Sequence, residues 1–281
     1  MRQAVGMMFN FEWSNKTLFY GIYERIDSFW ENSYLKAEGA PMEGELAFLR
    51  PLSDKLPEGV LDRPVVMAPA SSERQLDRKN LRRASALLDE VGWPVGDDGM
   101  RRNAVGETLQ VEILNDSQAF DRVINPYIEN LRALGVDAVH TRIDNAQMTE
   151  RERSFNFDMV VGNFRTALTP GSELEQYFGS ESAEFSIFNL AGYGSEAVDS
   201  LIDSVTAAED RTTLDDAIRA LDRVLRAEVF WVPQWFKNTH TVAYYDMYRY
   251  PENLPPYALG TLDFWWFDQA AHEKLKAAGA F

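Results

Sequence analysis

The stretch FDMVVGNFRTALTPGSE, Phe157 to Glu173, gathers more kinds of recognition group than a turn requires. An amide (Asn163), a ring (Phe164), a guanidinium (Arg165) and a hydroxyl (Thr166) follow an apolar run that ends at Gly162, and Pro170-Gly171 turns the chain. Loops at the carboxyl ends of strands in open α/β sheets are where ligands sit. Arg165 has two readings. It is a surface arginine, paired within the chain to a residue such as Glu173, or a fork that grips a ligand carboxylate or phosphate. Ser172 and Glu175 have the spacing of a capping box for a helix ELEQYF, so Ser172 reads as a cap before it reads as a ligand contact.

The aromatic residues Phe19, Tyr20, Tyr23, Phe29 and Trp30 fall close together and read as a core cluster or as a ligand wall, since pockets are largely apolar and aromatic. Trp235 follows Val232-Pro233 in an apolar strand, its ring open to core or cleft. Other chemistries find little footing. The chain has no cysteine, which removes disulfides, thiolate metal sites and cysteine nucleophiles. His140, His240 and His272 lie far apart without ligand spacing, so no zinc site is read. Gly192-Tyr193-Gly194 lacks the third glycine of a dinucleotide fingerprint, and neither a phosphate-binding GxxxxGK[ST] nor a GxSxG elbow occurs. Glycoside hydrolysis needs two carboxylates flanking a sugar. Here most Asp and Glu lie on helix exteriors, where a solvated face is the default. The formal charge of −16, from 28 basic and 44 acidic residues, argues against nucleic acid and against anionic membrane surfaces.

The elements that would position these groups begin with two helices in residues 2–30, RQAVGMMF and SNKTLFYGIYER, the second capped by Ser14. Residues 31–79 have little periodicity and read as a long irregular excursion. NLRRASALLDEVGWP is an amphipathic helix with Asn80 as cap and Gly92 as stop. TLQVEIL alternates as a strand, FDRVINPYIENLRALG is a helix, VDAVHTRID a second strand and FDMVVGNF a third. This β-α-β-α-β order predicts parallel strands with right-handed crossovers, an α/β fold. Two further helices follow, SEAVDSLIDSVTAAED capped by Ser195 and TLDDAIRALDRVLRAE with Thr213 and Asp216 in capping-box spacing. VFWVPQWF is then an apolar strand. Beyond residue 238 the chain turns aromatic and proline-rich, which places a domain boundary there. No apolar run approaches the roughly 18 residues of a membrane span. No signal peptide is visible, and the opening MRQAVGMMFNFEW reads as an entry into the middle of a fold.

The ordered set of segments resembles the extracellular solute-binding proteins of family 5, the peptide receptors of ABC importers. RQAVGMMFNFE is similar to the helix that opens that family's second lobe, and NLRRASALLDEVGWPVGDDGM to its helix ending in Gly-Trp. LRALGVDAVHTRID and FDMVVGNF are similar to its following strands, NLAGYGSEAVDSLID to its Asn–Gly–Tyr loop and helix, and LDRVLRAEVFWVPQWF to the helix and strand that lead back to the first lobe. YGIYERIDSFWENSYL, PGSELEQYFGS and DFWW resemble most the branch that takes up microcins and other peptides. The resemblance implies a lobe of the periplasmic-binding-protein type II kind, a largely parallel sheet flanked by helices, over residues 1–238. Residues 239–281 would return to the first lobe.

It further implies a non-enzymatic, periplasmic protein without cofactor or metal that binds a peptide or peptide-like solute and delivers it to a membrane permease. Asn163, Phe164, Arg165 and Thr166 would form the second lobe's share of the cleft rim, with Asn189 and Tyr193 from a neighbouring loop, Tyr23 and Arg25 from the first segment, and Trp235. The family's dipeptide receptors carry an aspartate for the ligand's amino group where this chain, by rough alignment, has Thr166. Asp158 does not replace it, so Arg165 points to a carboxylate-bearing ligand or a different backbone clamp. With the first lobe missing, the tail aromatics Tyr244, Tyr245, Tyr248, Trp265 and Trp266 are expected to pack back or to mediate self-association. The rival reading is a carbohydrate-active enzyme or a sugar-binding protein with an aromatic groove, marked by two carboxylates about 5–10 Å apart.

Overall fold

The computed structural model describes all 281 residues, which divide into two compact units, Met1–Phe236 and Lys237–Phe281. The first unit runs α1 (Arg2–Gly6), α2 (Phe11–Leu18), β1 (Glu24–Arg25), α3 (Glu43–Leu49), α4 (Arg78–Glu90), β2 (Gln110–Asn115), α5 (Gln118–Ala133), β3 (Asp137–Arg142), α6 (Asn145–Arg153), β4 (Met159–Val160), α7 (Glu173–Phe178), α8 (Glu196–Thr206), α9 (Arg211–Ala227) and β5 (Trp235–Phe236). The second holds β6 (Tyr248–Arg249), β7 (Trp266–Phe267) and α10 (Gln269–Ala277).

The expected β-α-β-α-β order forms a three-stranded parallel sheet with β2 between β3 and β4. In its register Ile113 stands opposite both His140 and Met159. The third strand is shorter than FDMVVGNF suggested, because only Met159 and Val160 find a partner on β2. Val123, Ile124, Tyr127, Ile128 and Leu131 of α5 bury one face beside Val111 and Ile113, and Ala84 and Leu88 of α4 join the same core. The spacing of these residues is the apolar stripe of an amphipathic helix.

A second core is built mainly from helices. Val198, Leu201, Ile202 and Val205 of α8 meet Leu214, Ile218, Leu221 and Leu225 of α9, with Leu49 of α3 and Leu174 and Phe178 of α7. The excursion over residues 31–79 contains α3, and buried polar groups of α9 hold it. Asp222 accepts from the backbone N–H of Phe29 and of Ala37, each at 3.0 Å. Arg223 pairs with Glu45 at 2.8 Å, both side chains almost wholly buried.

Three expected caps move. Asn10, not Ser14, caps α2, accepting from Trp13 N–H at 2.9 Å while its amide donates to Ser72 O and Arg74 O. Asp77, not Asn80, caps α4. Asn80 is buried and spends its amide on Ala70 O and Ser71 Oγ. Asp210 caps α9 by accepting from Thr213 N–H at 3.0 Å, where Thr213 itself had been the expected cap. In each case a side chain one turn earlier reaches the free N–H groups first. Residues 20–25 are not helical. β1 pairs antiparallel with β5, Arg25 opposite Trp235, and this joins the start of the unit to its end.

In the second unit β6 and β7 pair antiparallel, and Asp268 caps α10 through Ala271 N–H at 3.1 Å. No residue of this unit is buried. Its rings pack on one another, Trp265 stacked on Tyr250 at 4.6 Å with Tyr244 edge-on at 4.8 Å.

Candidate functional site: an unpaired extended run beside the sheet

Beyond Val160 the chain leaves the sheet and takes no regular secondary structure. Asn163, Arg165 and Ala167 are exposed while Phe164, Thr166 and Leu168 are half-buried, the two-residue alternation of a strand with one face packed. The inward side chains anchor the run. Phe164 meets Phe29 edge-on at 5.0 Å and stacks on Phe178 at 5.7 Å. The Thr166 hydroxyl donates to Phe29 O at 2.9 Å. Arg211 donates to Leu168 O at 2.8 Å and closes the far end. From Gly162 to Ala167 no backbone N–H or C=O takes part in a hydrogen bond. The run is anchored along one face and leaves its backbone groups from Gly162 to Ala167 without partners, just past the carboxyl end of a parallel strand.

Arg165 projects from the exposed side of that edge. Of the two readings open to it, the internal pair with Glu173 does not form: Glu173 accepts from Gly171 N–H at 3.0 Å instead. The Arg165 guanidinium has no hydrogen-bond or ion-pair partner in the chain. Ser172 stands at the start of α7 without a side-chain cap bond. Glu175 is not in a capping box but lies over Gly179, where burial and the carboxylates of Asp199, Glu181 and Asp203 push its pKa up.

The remaining expected contacts separate. Tyr193 joins the same aromatic group as Phe164, stacked on Phe230 at 4.8 Å, while Phe230 stacks on Phe29 at 5.5 Å. Burial raises its hydroxyl pKa, and the hydroxyl donates to Ser195 Oγ at 3.0 Å. Asn189 is 2% exposed, and its side chain is spent on its own loop: it donates to Tyr193 O at 2.6 Å and accepts from Tyr193 N–H at 3.2 Å. Its role is to hold the loop that carries Tyr193.

Tyr23, Arg25 and Trp235 come together around the β1–β5 pair, in the sheet core. Trp235 packs on Phe19 at 4.8 Å, Tyr23 at 5.9 Å and Phe9 at 6.3 Å, half-buried against the sheet core. Arg25 is an internal latch whose guanidinium donates to Pro69 O at 2.6 Å and to Glu12 at 3.3 Å. The early aromatic group therefore splits in two: Phe19 and Tyr23 face the sheet core, Phe29 and Trp30 the helical core, and Tyr20 is 86% exposed. Sequence reasoning did not single out Phe230, Trp231 and Arg211. The available signal was the aromatic pair before Val232-Pro233 in the run leading to Trp235.

The model of bacterial extracellular solute-binding proteins, family 5 Middle, matches residues 1–185. A protein of Agrobacterium fabrum named "Probable peptide-binding protein YejA" is 37% identical over 97% of this chain and 44% of its own length. YejA of Escherichia coli K12, named as uncharacterized, is 33% identical over 99% of this chain and 46% of its own. The chain thus spans less than half the length of these curated relatives. Among solved structures, the oligopeptide-binding protein AppA of Bacillus subtilis in complex with a nonapeptide superposes with a TM-score of 0.63 at 13% identity, over 95% of this chain and 47% of that one. The fold is that of the periplasmic oligopeptide-binding proteins, and the chain belongs to the bacterial extracellular solute-binding proteins of family 5.

Proposed function

We propose that the protein is the substrate-binding component of an ABC importer, capturing peptides or peptide-like solutes between two lobes and delivering them to a membrane permease. The free ladder edge from Gly162 to Ala167 carries this reading. An extended peptide laid along it completes the backbone hydrogen bonds that the edge lacks, a recognition mode that reads main chain and tolerates many side chains. Each such bond is worth about 1 kcal/mol net, so several are needed, and a six-residue run offers several. Asn163 and Arg165 lie on the exposed side of the run, where an amide and a free guanidinium meet ligand carbonyls or a carboxylate.

Residues 1–238 act as the second lobe, and residues 239–281 return to the first. The protein works as a binder and not as an enzyme, and as a family member it works outside the cytoplasm. The name of its Agrobacterium relative supports a peptide ligand. The reading is tested by calorimetric titration of the full-length protein with a peptide library, beside an Arg165→Ala variant. Peptide binding that weakens about tenfold in the variant is the expected result, the size of one charge-assisted contact. Binding unchanged in the variant moves the site away from this loop. Binding of oligosaccharides and of no peptide overturns the function.

A further inference from the structure

A cleft of about 350 Å³ opens in the first unit, with Met7, Val66, Met67, Val229, Trp231 and Pro233 among its walls. We propose that it is a side-chain pocket that takes one apolar residue of the captured peptide and disfavours a cationic one. The proposal rests on the peptide reading of the Gly162–Ala167 edge.

Val66 and Met67 are 42% and 55% exposed, although they sit on a segment with no regular structure that was free to turn them inward. Polar groups pin that segment at each step. Val66 O accepts from Arg226 Nε at 2.9 Å, Ala68 N–H donates to Asp27 at 2.8 Å, and Pro69 O accepts from Arg25 at 2.6 Å. The two apolar side chains are thus held out in advance, which lowers the ordering cost of a ligand that covers them. Burying an apolar side chain there removes its own surface and theirs from water.

The charged groups at the cleft are mostly paired already. Arg226 is almost wholly buried and already paired with Asp222, and one of its nitrogens ends on the Met67 thioether, a weak acceptor, at 3.1 Å. Asp27 is occupied by Ala68 N–H and shares Lys36, at 3.9 Å, with Glu31, whose carboxylate holds that ammonium at 2.7 Å. Arg83 is exposed at the cleft and has no acceptor. No carboxylate at the cleft is left free to pair a ligand cation, so burying a lysine or arginine side chain there costs its hydration without return. Trp231 links cleft and edge: it lines the cleft, stacks on Phe29 at 4.2 Å and stands edge-on to Phe164 at 6.0 Å.

The test uses the chain labelled with ¹⁵N and at methionine methyls, titrated with Gly-Gly-Leu-Gly-Gly and Gly-Gly-Lys-Gly-Gly to about 10 mM, a range that detects weak binding. The Met67 methyl reports the cleft, and the Gly162 and Arg165 amides report the edge. The expected result is a saturable Met67 shift with the leucine peptide, at least about tenfold weaker with the lysine peptide. Filling the cleft by Ala68→Phe should erase that difference while the edge amides still respond. Edge amides that move while Met67 does not would overturn the pocket and leave the peptide reading standing. Met67 shifts without edge shifts would overturn the edge reading and, with it, the pocket as a subsite of a peptide held there. Silence at both, or equal Met67 shifts with both peptides, also overturns the pocket.

Discussion

Arg25 and Arg165 carry the same side chain and face opposite demands. The Arg25 guanidinium lies over the Phe11 ring at 5.0 Å and reaches carbonyls of two distant segments, Pro69 and Pro233. Burial lowers its pKa, and Glu12 and Asp27 pull it back up, so it stays charged at neutral pH. Removing it strands Glu12 and two carbonyls in a half-buried site. We therefore expect Arg25→Ala to destabilise the chain by about 3 kcal/mol. Arg165→Ala should stay within about 0.5 kcal/mol, because no internal partner is lost. Urea denaturation of both variants checks this, and a large loss for Arg165→Ala would mean an internal role. The sequence could not separate the two arginines. A guanidinium beside a predicted strand reads the same whether its acceptors are 208 residues away, as Pro233 is from Arg25, or absent. The partners of Asn189 and Trp235 were illegible for the same reason: they depend on loop geometry and on a distant pairing that residue type does not encode.

Elements whose partners are local were legible and those whose partners are remote were not. The stripes of α4, α5, α8 and α9 and the alternation of β2 follow from periods of 3.6 and 2 residues, and all five elements form where they were read. The two-residue strand β1 pairs with β5 across most of the unit and its flank reads as helix, whereas β5 closes the apolar strand read over VFWVPQWF. Caps show a finer version of the same limit. Several polar residues fall within one turn of most helix starts, and geometry chooses among them. Ser195 was read correctly: its Oγ accepts from Val198 N–H at 3.2 Å and from the Tyr193 hydroxyl at 3.0 Å. Ser172 makes no such bond. Ser195→Ala should cost about 1 kcal/mol and Ser172→Ala close to nothing. Thermal melts of the pair would count against these assignments if the two losses were equal.

At the scale of the whole molecule the two units differ in kind. The first has two packed cores, and the buried Asp222, Arg223 and Arg226 of α9 hold the irregular excursion in place. Such a unit has the packing to be stable alone. The second has a hairpin and a helix but no buried residue, and Trp266, Phe267, Tyr245 and Phe281 are each about half exposed. Apolar rings exposed together make a surface that another apolar surface covers. A second copy of the chain is one such surface. We expect concentration-dependent self-association of the 281-residue chain in sedimentation velocity, weakened when Trp266 and Phe267 are both replaced by serine. A chain ended after Asn238 should sediment as a monomer and melt within a few degrees of the longer one, because both cores lie before that point. A longer chain that remains monomeric at every concentration would show that its rings find cover within the molecule. A truncated chain that melts much lower would show that the second unit stabilises the cores.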